Sequence, residues 1–218
     1  MELTKEQIQQ IDNRLKKQGI KYWDLRIEMV DHIVSDMETN ATTNDFKVEL
    51  EKTLRKLNWN GGLIGVNTEG WQNTNRKYRK EYHSEFIRFF KSFTNVFFYV
   101  VFSILCYLIS EQISYNIFKK ISLILFIMPM ILFFIITTKQ LLNKYGKSVN
   151  LDYGIFYFSF AFLMINLPFQ FIKEFSIDVQ KIFSVILLAI FYVATYAGYK
   201  TYKKALTRVE NMKNELAI

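Results

Sequence analysis

Glu28, His32 and Asp36 recur every four residues, so a helix carries them along one side with Asp31 beside them. One imidazole and two carboxylates form a ligand set for a divalent metal. On a straight helix, however, positions eight apart lie ~12 Å from each other, so the three reach a common ion only if a second helix contributes. The simpler expectation is a polar stripe that is solvated or faces a partner, with a hydrogen bond between His32 and a carboxylate. His83 follows Tyr82 and has no metal or nucleophilic partner in sequence, so it reads as interfacial. No Gly-rich phosphate loop precedes a helix, and neither His-Glu-x-x-His nor Gly-x-Ser-x-Gly occurs. The apolar stretches hold no aspartate pair, and no histidine accompanies Ser159 in them, which argues against proteolysis within a bilayer. The expectation is a protein that is not an enzyme, with no cofactor and no metal.

The elements that must position this stripe divide the chain into two unlike halves. Residues 92–110, 121–138, 153–172 and 182–199 contain no charged side chain. Each is close to the ~20 residues that a helix needs to cross a hydrocarbon core. The fold class expected is therefore all-α, with a small three-helix cytoplasmic domain followed by a four-helix transmembrane bundle. The boundaries are 1–72 for the soluble helical domain, 73–91 for a basic juxtamembrane helix, and 92–218 for four spans with a cytoplasmic C-terminal tail.

Charge sets the topology. The net charge of +8 is an average, because residues 1–72 carry 10 Lys and Arg against 12 Asp and Glu. The segments 76–91, 139–152 and 200–218 hold fourteen Lys and Arg, whereas 111–120 and 173–181 hold four. This asymmetry predicts both termini in the cytoplasm of a multi-pass inner-membrane protein. Positive charge beside the spans, and none in excess on the soluble domain, points to membrane lipids as partners and away from nucleic acid. Nothing in residues 1–20 resembles a signal peptide, so the first span is expected to act as its own insertion signal. Cys106, the single cysteine, permits no intramolecular disulfide.

Within the soluble half, Thr4 and Gln7 form a capping-box pattern, Ile8, Ile11 and Leu15 follow at helical spacing, and Gly19 supplies a stop. A second helix runs from about Trp23 to Glu38, with Ile27, Val30, Ile33, Val34 and Met37 as its apolar stripe and Asp24 suited to the positive end of its dipole. Phe46, Leu50, Leu54 and Leu57 mark a third, and the Gly-containing segment 61–72 reads as a loop. From Asn73 a basic helix is expected to run directly into the first span. In the fourth span Ala189, Ala194, Ala197 and Gly198 allow close helix approach.

Glu28, Met29, Val30, Asp31, His32 and Ile33 on a second helix, followed by a third entered through Phe46, resemble the helix-turn-helix-associated alpha-helical signalling domain and the permease prefix domains. The resemblance covers residues 4 to about 62 and departs at Leu57, Asn58, Trp59, Asn60, Gly61 and Gly62, where those families close with a different turn. It implies a non-catalytic cytoplasmic interaction module on a membrane anchor.

Two functions follow as expectations. The first is a regulatory, signalling or assembly factor whose N-terminal domain binds a cytoplasmic or membrane protein through Glu28, Asp31, His32 and Trp59. The second is a small transporter or lipid-binding protein, as a homo-oligomer, with a site around Asn166, Pro168 and Gln170, joined by Thr137 and Thr138. The absence of an ionisable residue at the centre of any span weighs against transport.

Overall fold

The computed structural model describes residues 2–142, 145–171 and 174–216, with side chains for all of these except Leu141, 164–171 and Leu216. Eight α-helices and no strand occur among the described residues. They fall into two compact units.

The first unit comprises Met1–Arg76, Tyr145–Asn150 and Val209–Ile218. Its helices are α1 (Lys5–Lys17), α2 (Trp23–Asn40), α3 (Phe46–Lys56) and the start of α4 (Ile64–Lys91). The capping box at Thr4 forms in both directions, and Gly19, at φ +101°, turns the chain out of α1 as an L side chain could not do without strain. Asp45 caps α3 by accepting from the amides of Lys47 and Val48. Ile11, Leu15, Ile20, Leu25, Met29, Ile33, Met37, Leu50 and Leu54 are buried. The apolar stripe of α2 is thus centred on Leu25, Met29, Ile33 and Met37 at intervals of four. Ile27, Val30 and Val34 flank it half-buried.

Segment 61–72 is a loop only over 61–63 and is helical beyond. Helix α4 begins at Ile64, and Leu63 just before it is buried. Gly70 is a point of close approach, because a Cβ there would stand 2.7 Å from Leu25 Cδ1. Its absent side chain admits a neighbour and does not break the helix. Nor does α4 run into the next helix. Ser92 is extended, at φ −96° and ψ 117°, and its hydroxyl accepts from the amide of Asn95 to start a new one.

The second unit comprises Lys77–Lys144 and Leu151–Arg208. It holds the rest of α4, α5 (Phe93–Gln112), α6 (Tyr115–Leu142), most of α7 (Val149–Phe171) and most of α8 (Ile177–Leu216). Three helices, α5, α6 and α8, are long and apolar enough to cross a membrane, and the described part of α7, Val149–Leu163, is a shorter apolar helix. Only 11% of the apolar window of α5 and of α6 is buried, against 44% for α8, so α8 is the helix around which this unit packs. Ala189 and Ala197 of α8 are buried, and a Cβ on Gly198 would lie 2.7 Å from the carbonyl oxygen of Tyr157. The small residues do bring α8 against α7. Exposed Phe97, Leu105, Ile124, Ile135 and others give α5 and α6 the apolar outer surface suited to lipid.

Candidate functional site

Glu28, Asp31 and His32 are exposed on α2, within one turn of each other. Asp36 does not join them. Its carboxylate is bonded to the Lys56 ammonium, to the Thr53 hydroxyl at 2.9 Å and to the Asn40 amide at 2.8 Å. The Lys56 contact holds Asp36 below the usual carboxylate range, outweighing the burial that raises it. Asp36 therefore ties α2 to α3. Among the described residues no group of three or more His, Cys, Asp or Glu is placed to hold a metal ion. Trp59 is half-buried just beyond α3, where Asn58 takes a left-handed φ of 57° and the Trp59 amide donates to the Leu54 carbonyl at 2.7 Å. Asn166, Pro168 and Gln170 lie outside the residues whose side chains are described.

The same unit holds a second internal anchor, Glu49, whose side chain is only 3% exposed. Burial pushes its carboxyl up, but the amides and hydroxyls of Thr42 and Thr43, all donating to Oε1 at 3.0–3.2 Å, bring it down to about 2. This fixes the turn between α2 and α3, and hence the angle at which the exposed acidic stripe is presented.

The first turn of α2 carries a site that the spacing of residues did not reveal. Asp24 is fully buried. Its Oδ2 accepts from the Ser148 hydroxyl at 2.7 Å, the Asn150 amide nitrogen of the backbone at 3.0 Å and the Asn150 side chain at 2.7 Å. Its Oδ1 accepts from the backbone N–H of Val149 at 3.0 Å and of Leu25 at 3.1 Å. The carboxylate thus caps α7 from another part of the chain, satisfying N–H groups that a helix start leaves without partners and placing negative charge at the positive end of its dipole.

Trp23 reinforces the grip. Its backbone N–H donates to the Lys147 carbonyl at 3.1 Å, and its indole N–H donates to the Tyr145 carbonyl at 2.9 Å. Gly146 between them has φ +76°, and a Cβ there would press to 3.3 Å on Trp23 Cδ1. The end of α8 closes the arrangement. The Tyr145 hydroxyl donates to Glu210 at 2.8 Å, and the Lys213 ammonium stands 5.8 Å from the Trp23 ring and 5.3 Å from that of Tyr145. Trp23 and Asp24 are adjacent in sequence, yet their partners lie more than 120 residues away, and only the pairing of an acidic residue with the Ser-Val-Asn start of α7 hints at the contact.

Fold and site together define an all-helical protein with helices fit to cross a membrane. Comparison with protein-family models, with curated proteins and with solved structures gave no match.

Proposed function

We propose that this chain is a non-enzymatic, multi-pass protein of the inner membrane, a regulatory, signalling or assembly factor whose N-terminal unit binds a cytoplasmic partner. The observation that carries the reading is the double use of α2. Its exposed face offers Glu28, Asp31 and His32, while its first turn is bonded through Trp23 and Asp24 to residues 145–150 at the start of α7. A partner seated on the exposed face would bear on a helix already fixed to a membrane-entering one. The commitment of Asp36 to Lys56 and Thr53 removes a ligand from the metal-binding row, which favours binding over catalysis. The resemblance of residues 4–62 to cytoplasmic interaction modules belongs to the same proposal.

Four crossings with both termini in the cytoplasm form part of it. Lys204, after the apolar part of α8, reaches Glu85, before α5, at 2.8 Å. At the opposite end Tyr115 meets Gln180 at 2.5 Å. A chain that returns to its starting side crosses an even number of times, which supports α7 as the fourth crossing beside α5, α6 and α8. The positive-inside asymmetry favours the cytoplasm for that side.

The test uses the full chain in native membranes. Reversing charge with Glu28→Lys and Asp31→Lys is expected to lower recovery of a crosslinked protein partner at least about fivefold, with insertion unchanged and with wild-type recovery falling as salt rises. Equal recovery by a folded, inserted variant would refute the reading.

A further inference from the structure

Arg88 of α4 and Lys200, Lys203 and Lys204 of α8 line a cavity of about 490 Å³ together with Glu85 and Tyr196. Four cations and one carboxylate line it, and Glu81, off the lining, also attracts Lys204. Glu85 is 4% exposed and is already divided between Arg88 at 2.6 Å and Lys204 at 2.8 Å. Lys200 and Lys203 each stand over the ring of the tyrosine four residues earlier, at 5.5 Å from Tyr196 and 5.8 Å from Tyr199. The cations are exposed, and the open depression they line has room for an anion to join them.

Tyr196 also lines a second cavity, of about 770 Å³, whose wall is almost wholly apolar and includes Leu125, Leu132, Leu188, Phe191 and Tyr192. The two cavities follow each other along consecutive turns of α8. From Leu188 to Lys204 the helix rises ~24 Å, close to one leaflet of a bilayer ~40–45 Å thick with its head groups. A cationic chamber opening beside an apolar groove of leaflet length matches an amphiphile with an anionic head and an acyl chain.

We propose that this is a binding site for an anionic phospholipid, its phosphate-bearing head group held by Arg88, Lys200 and Lys203 and one acyl chain laid in the groove past Leu132. Glu85 is a positioning residue that keeps Arg88 and Lys204 at the chamber. The site shares no residue with the exposed face of α2, so it stands or fails independently of the partner-binding reading.

The experiment places the full chain in nanodiscs of mixed phosphatidylglycerol and phosphatidylcholine and measures the lipid retained on gentle detergent extraction by native mass spectrometry. Wild type is expected to retain phosphatidylglycerol in preference. Lys200→Gln with Lys203→Gln should reduce that preference roughly fivefold per lysine, while Lys200→Arg with Lys203→Arg keeps it. Leu132→Trp, which fills the groove and leaves the cations in place, should also lower retention. Helical content and monodispersity of each variant establish that it is folded. Equal retention of the two lipids by wild type, an unchanged preference in the double Gln variant, or full retention by Leu132→Trp would each overturn the proposal. So would competition by millimolar inorganic phosphate as effective as that by the lipid, since the chamber would then recognise a free anion.

Discussion

Asp24→Asn is the smallest change that removes the buried carboxylate and keeps its volume. Five donors converge on Asp24, three on Oδ2 and two on Oδ1. Whichever way the new amide turns, its NH₂ must face donors where an acceptor stood. The better orientation keeps the oxygen on the N–H groups of Leu25 and Val149 and turns the NH₂ to Ser148, whose hydroxyl can accept, and to the Asn150 side chain, whose amide can flip, so that the backbone N–H of Asn150 is the donor left without its acceptor. A buried donor left unsatisfied costs ~1–3 kcal/mol, so the loss is at least ~1 kcal/mol, before the loss of negative charge at the start of α7 is counted. This is a large share of a domain stability of ~5–15 kcal/mol. The assay is built into the chain, because all three tryptophans, Trp23, Trp59 and Trp71, lie in the first unit. Their fluorescence, followed on heating the full chain in detergent, reports that unit. At ~4–8 °C per kcal/mol for a domain of this size, the midpoint should fall by at least ~4 °C. Asp31→Asn, at an exposed position of the same helix, should leave it nearly unmoved. A midpoint for Asp24→Asn within about 2 °C of wild type would refute the account of Asp24 as the cap of α7.

Three further outcomes are expected. Because Glu49 titrates near 2 in the folded chain, its contribution to stability is complete above the ordinary carboxylate pKa of ~4.3 and is lost as pH falls from there through about 2; acid titration of tryptophan fluorescence should show a step in that window that Glu49→Gln abolishes, and a step that persists in the variant would count against the assignment. Gly198→Ala would place a Cβ 2.7 Å from the Tyr157 carbonyl and 2.9 Å from Phe158 Cα, both backbone atoms, so α7 and α8 must part; a loss of ~1–3 kcal/mol is expected in detergent unfolding, whereas Ala194→Gly at a half-buried neighbour should cost less. Single cysteines introduced in place of Lys119 and Lys203, after Cys106→Ser, should react with a membrane-impermeant maleimide on intact cells and only after permeabilisation, respectively, and labelling of both on intact cells would remove the four-crossing topology.

What could be read from sequence was local. The capping box at Thr4, the stop at Gly19 and the small residues of α8 each depend on neighbours within a turn or on one helix face. Leu25 and Met29 alternate with Ile27 and Val30 along α2, so composition supports two apolar faces and only packing selects that of Leu25 and Met29. Gly61, Gly62, Gly65 and Gly70 suggested a loop by composition, but Gly70 serves contact with Leu25, a role invisible until both helices are placed. Glu28, Asp31 and His32 share an exposed face as helical spacing requires, while Asp36 left the row because Lys56 and Thr53 arrive from α3.

Asp24 shows why the more consequential site escaped. Near the start of α2 it already had a sufficient local explanation as a charge favourable to that helix's own dipole, and its Oδ1 does accept from Leu25. A carboxylate has lone pairs for about four hydrogen bonds, however, and one amide does not use them. A buried Asp must fill the rest, and the donors that do so belong to Ser148, Val149 and Asn150. The helix that displays the acidic face is therefore the helix that caps α7. Any force that rotates or withdraws α2 would act first on the hydrogen bonds at the start of α7. That makes Asp24, and not the exposed residues, the position on which the joining of α2 to the start of α7 depends.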